Sequence, residues 1–102
     1  MAQFDVYKNL SENNTELYPY LLDVQHDLHT RMDTRIIVPL SQKLSSAEGL
    51  RPEITVNGEP YVAVVADMVG LPASLLGKKV DNISKDSSKI MDAIDLLFWG
   101  FR

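Results

Sequence analysis

His26, Asp27 and His29 form the one local run of side chains that commonly ligate metals. A zinc centre needs three or four such ligands at matched spacing. No third or fourth ligand accompanies this run, so it reads as a polar strand end or loop, and no metal is expected. Asp92 and Asp95 stand three residues apart in a stretch with helical periodicity, which puts both carboxylates on one side of a helix. Paired carboxylates can share acid and base roles, but only inside a cleft that shifts one of them. A solvated helix face explains the same spacing and is preferred. With Cys 0, thiolate nucleophiles, thiolate zinc sites and disulfides are all excluded. The pattern Gly-x-Ser-x-Gly is absent, and the five glycines never assemble into a phosphate-cradling loop. No catalytic residue, no cofactor and hence no enzyme activity is expected.

The residue that resists a bland explanation is Trp99, the only tryptophan. Ile90, Ile94, Leu97, Phe98 and Phe101 recur at offsets of 4, 7, 8 and 11, the stripe of an amphipathic helix. At about 100° per residue Trp99 points roughly opposite that stripe, beside Asp92 and Asp95. A displayed tryptophan is an anchor for a partner more often than an accident, because large aromatics dominate binding hot spots. The competing reading ends the helix at Phe98 and folds Trp99 back onto the core. Gly100, with no side chain, suits either a helix C-cap or close approach of a partner.

These side chains must be carried by one small domain. The chain has 102 residues, 45% of them hydrophobic and 24% charged, enough for one core and too few for two, so residues 1–102 are read as a single unit. The net charge of −4 argues against autonomous binding to nucleic acid, whose affinity rests largely on lysine and arginine meeting phosphates. Lys78-Lys79 is the only adjacent basic pair. The apolar region from Tyr61 to Gly77 is broken by Asp67, Gly70 and Pro72, so no membrane span is expected. The start, Met1-Ala2-Gln3-Phe4-Asp5, lacks the basic and apolar segments of a signal peptide, and a cytoplasmic location is expected.

The elements follow from periodicity. Phe4 and Val6 alternating with Asp5 and Tyr7 predict a half-buried first strand. Asn9 to Thr15 is polar and aperiodic, an exposed loop. Tyr18 to Gln25 places Tyr18, Tyr20, Leu22 and Val24 on one face of a second strand. Arg35 to Leu40 is β-branched and contains Pro39, which predicts a third strand ending at or near a sheet edge. Glu53–Val56 and Tyr61–Val65 flank Asn57-Gly58, a strong hairpin signal because both turn positions favour positive φ. Ser84 is the expected N-cap of the last helix, with Asp86 in its first turn. Short strands followed by one helix predict a mainly β, mostly antiparallel barrel or folded sheet with the helix packed on it.

The ending Ala93-Ile94-Asp95-Leu96-Leu97-Phe98-Trp99-Gly100-Phe101 resembles the tail of the CcdB toxins. Gln3-Phe4-Asp5-Val6-Tyr7, Leu22-Asp23-Val24-Gln25-His26-Asp27, Val38-Pro39-Leu40 and Asp67-Met68-Val69-Gly70-Leu71-Pro72 resemble family segments in the same order. The resemblance spans essentially the whole chain. It implies an SH3-like antiparallel barrel with a small extra sheet and a C-terminal helix, assembled as a homodimer.

It also implies a poison that makes no bonds itself. Such toxins bind the DNA gyrase A subunit and trap the enzyme on cleaved DNA, and a cognate antitoxin releases it. By position, Trp99, Gly100, Phe101, Phe98, Asp95, His26 and Leu28 would form the gyrase-binding surface. Asn9, Leu10, Ser11, Glu12, Asn13, Asn14 and Thr15 would meet the antitoxin, a disordered tail expected to be acidic and aliphatic. The runner-up class is an endoribonuclease toxin on the same barrel, which wants a catalytic arginine, here Arg31 or Arg35.

Overall fold

The computed structural model describes residues 2–26, 33–47 and 49–100. Its strands are β1 (Asp5–Asn9), β2 (Tyr20–Asp23), β3 (Thr34–Ser41), β4 (Glu53–Val56), β5 (Glu59–Ala63), β6 (Val69–Pro72) and β7 (Leu76–Asn82), followed by one helix, α1 (Ser87–Trp99). All described pairings are antiparallel, in the order β4-β5-β3-β2-β1-β7, with β6 joined to β3 beside β5. This is a mainly β, curled half-barrel with a single C-terminal helix, the architecture the sequence predicts.

The curl brings the outer strands β4 and β7 together. The gap is closed by side chains instead of a ladder. Asp81 accepts the Asn57 N–H at 2.9 Å, and Asp86 accepts the Thr55 N–H at 3.3 Å. The expected hairpin is present, with Val56 opposite Glu59 and the turn residues Asn57 and Gly58 at φ 49° and 82°. Two positive φ values in a two-residue loop give a primed turn, whose twist matches that of the strands.

Inside the curl, Val6, Leu22, Val38, Leu40, Ile54, Val56, Tyr61 and Val65 pack with Ile90 and Ala93 of α1. Tyr20 meets Tyr61 edge-on, ring centroids 5.3 Å apart. The opposite face of the sheet is also covered, by a second cluster of Tyr7, Leu21, Ile37 and Leu76. That second cluster corrects the half-buried reading of β1, because Asp5 and Tyr7 are buried along with Phe4 and Val6.

Pro39 is corrected as well. It lies inside β3, a central strand that pairs with β2, β5 and β6. Its carbonyl accepts the Val64 N–H at 3.0 Å. Its missing donor faces the same side, between the last β6 pair at Ile37 and the first β5 pair at Leu40. No ladder bond is lost where the neighbouring strand changes, so proline is tolerated at that point.

The last helix begins later than expected. Ser84–Asp86 is a 3-10 turn, and Asp86 occupies the N-cap position of α1 without making a side-chain cap. Its carboxylate is engaged with Thr55 and faces Lys89 at 3.8 Å.

Candidate functional site

Only the first half of the α1 stripe is buried. Ile90 and Ala93 are fully enclosed and Ile94 half-buried, whereas Leu97 and Phe98 emerge into solvent. Phe98 is 61% and Trp99 70% exposed. The expectation that Trp99 is displayed therefore holds, and the expectation that Phe98 belongs to the core stripe does not. The core cluster takes in Ile90, Ala93 and Ile94 but not Leu97 or Phe98, so continued helical periodicity projects the last members past the core.

Gly100 fixes where the chain turns away. It adopts φ 76°, and its N–H donates to the Leu96 carbonyl at 2.9 Å. This is the left-handed cap that glycine accepts without a Cβ penalty. The aromatic pair thus sits on the last turn before the cap, with its apolar area open to solvent. Asp95 is half-buried on the same helical end, and Asp92 is exposed. Neither carboxylate lines any of the described grooves.

His26 is exposed on a separate element, just beyond β2. Leu28 and Phe101 lie outside the described residues, as do Asp27, His29 and Arg31. Among the described residues no three His, Cys, Asp or Glu side chains gather as a metal site.

What anchors His26 was not foreseen from the sequence. Arg35 is wholly buried and donates through Nε to Asp23 at 2.8 Å, while its terminal nitrogen lies 2.7 Å from the same oxygen and 3.2 Å from the Gln25 carbonyl. Gln25 returns the link by donating its N–H to Asp23 at 3.0 Å and accepting the Ile36 N–H at 2.9 Å. The segment that carries His26 is thus tied to β3 by a closed polar cluster. Burial pushes the Asp23 carboxyl up, and the Arg35 and Gln25 donors pull it back only in part. A buried charge left without its partner is costly, about 3–5 kcal/mol, so this pair is kept or lost as a unit. The nearby Tyr7 hydroxyl is pushed up to about 12 by burial and by the Asp5 carboxylate it donates to.

The first loop has more structure than its composition suggests. Leu10, Glu12, Asn13, Asn14 and Thr15 are exposed and Ser11 half-buried, but Asn9 ends β1 and is buried. The Asn9 side chain donates to Asn14 Oδ1 at 2.8 Å and to the Tyr18 carbonyl at 2.9 Å, and accepts the Ser11 N–H at 2.9 Å. Asn9 is therefore the staple of the loop. Across from it, the Tyr18 hydroxyl donates to Asp67 at 2.5 Å, a bond that pushes the phenol up to about 12.

The sequence matches the CcdB protein family over residues 3–100. The chain belongs to the CcdB family. Membership makes it a toxin of the toxin–antitoxin type. A solved endoribonuclease, held in complex with its cognate antitoxin and from a Mycobacterial species, shares the fold with a TM-score of 0.77. That match covers 93% of this chain and 91% of the other at 14% identity.

In this CcdB-family chain, the helical tip was legible from the position of one tryptophan in a periodic stripe. The Asp23–Arg35–Gln25 cluster was not, because isolated polar residues on strands read as solvent-facing until their neighbours are known. Arg35, weighed as a catalytic arginine for the endoribonuclease class, is buried inside that cluster and paired with Asp23.

Proposed function

We propose that the protein poisons DNA gyrase by binding its A subunit through the tip of α1 and holding the enzyme on cleaved DNA. The supporting observation is the exposed Phe98-Trp99 pair, capped by Gly100, on a CcdB-family chain. An aromatic face set against an arginine guanidinium would contribute about 0.5–2 kcal/mol per contact. Gyrase A is two-fold symmetric, and a homodimer would present two such tips across one axis. Met91, at 41% exposure, is apolar surface that a second copy would cover. His26, Leu28, Asp95 and Phe101 complete the proposed surface, and a cognate antitoxin competes from the first loop. The toxin acts in the cytoplasm, as a binding protein without catalysis, cofactor, direct nucleic-acid contact or membrane insertion.

The test uses purified protein with gyrase, supercoiled plasmid and ATP, and separately with RNA. Linear DNA after detergent, with RNA intact, is the expected result, and Trp99→Ala should abolish it. The competing reading, an endoribonuclease, has the solved neighbour in its favour and the burial of Arg35 against it. Cleaved RNA without linear plasmid would replace the gyrase proposal with that reading.

A further inference from the structure

Behind the sheet, on the face opposite α1, a groove of about 120 Å³ opens between the first loop and β6. Its floor is Leu21, Ile37 and Pro39, and one wall is Val69, Leu71 and Leu75. The other wall is the stapled loop, with Ser11, Asn14 and Tyr18. The space is well below the roughly 300–1,000 Å³ of small-molecule sites, and matches one or two side chains of a peptide.

The groove has a definite polar rim. The Ser11 hydroxyl and the Asn14 side-chain N–H groups make no hydrogen bond among the described residues, so both can donate to peptide carbonyls. Among the described residues, Asp67 is the only charged one lining the groove. One of its oxygens takes the Tyr18 hydroxyl, which positions the carboxylate, and the other has no partner among the described residues. Val69 is 45% exposed at the edge, so the apolar floor continues to the surface.

We infer that this groove seats an aliphatic side chain of the antitoxin, with an adjacent lysine or arginine of the same segment placed on Asp67. The inference rests on the proposal that an antitoxin meets the first loop, and it specifies the chemistry of that contact. It reverses the acidic character expected of the antitoxin tail at this one position, because an acidic residue there would face a carboxylate of like charge. Asn9 lines the groove as well, and supports it by holding the loop.

The experiment is a ¹⁵N-resolved titration of the full chain with two capped tetrapeptides, Gly-Leu-Arg-Gly and Gly-Leu-Glu-Gly. The arginine peptide should shift the amides of Ser11, Asn14 and Leu71 and bind about three- to tenfold more tightly than the glutamate peptide, the range of a partly screened ion pair. Asp67→Asn should remove the preference between them. Equal binding of the two peptides, or shifts confined to other faces, would overturn the inference. Shifts of the same amides on concentrating the protein alone would also overturn it, by assigning the groove to a second copy. A separate arm follows rescue of growth by the antitoxin encoded beside the toxin. Rescue of the parent that fails for Leu71→Glu supports the groove, and rescue that survives Leu71→Glu sinks it. No rescue of the parent would overturn the underlying antitoxin reading itself.

Discussion

The two halves of α1 carry one sequence pattern and meet two different environments. Ile90 and Ala93 are sealed against the curled sheet, whereas Phe98 and Trp99, two turns later, face solvent. The periodicity is continuous across both. What changes is the core beneath, which takes in Ile90, Ala93 and Ile94 and does not reach Phe98. Apolar periodicity therefore predicts which face of a helix seeks company, and leaves open whether that company is the same chain.

That contrast can be broken by substitution. Ile90→Ala, in the sealed half, should lower unfolding free energy by about 2–5 kcal/mol in a denaturant melt, the range for a large aliphatic core residue. A loss under about 1 kcal/mol would show that the sheet does not depend on the helix. Gly100→Ala attacks the boundary between helix and tail. An alanine held at φ 76° should cost about 1–2 kcal/mol, and trapping of gyrase should weaken further as the tip loses its fixed direction. Unchanged stability and trapping would mean the cap is dispensable.

The exposed half should respond least in stability. Trp99→Ala should melt within about 0.5 kcal/mol of the parent while removing gyrase trapping. Phe98→Ala should behave alike in a dilute monomer, although the sequence pattern assigned it to the core. A Trp99→Ala protein that unfolds would erase the distinction between the halves.

Legibility in the sequence followed the range of the interactions involved. The Asn57-Gly58 hairpin and the periodic helix are local and readable, although β5 starts two residues earlier and α1 begins after a 3-10 turn instead of at Ser84. Strands β6 and β7 carry no such local signal. Val69-Gly70-Leu71-Pro72 and Leu76-Gly77-Lys78-Lys79-Val80-Asp81-Asn82 are poor strand formers, and their conformation comes from pairing with β3 and β1. Asn9 illustrates the same limit within the candidate sites. A polar residue beside a polar loop reads as exposed, and only the carbonyl of Tyr18 and the amide of Asn14, five to nine residues away, reveal it as a buried staple. The membership of Phe98 was misread for the opposite reason, since a local pattern was extended past the last partner that could satisfy it.

The seam between β4 and β7 has a consequence for behaviour in a crowded solution. Outer strands expose unpaired N–H groups, and those groups recruit strands from other molecules. Here Asp81 and Asp86 occupy the donors of Asn57 and Thr55 with carboxylates. A passing chain meets negative charge where it would need free donors. The same two aspartates that close the curl thus shield β4 against edge-to-edge aggregation, without requiring a further strand to cover it.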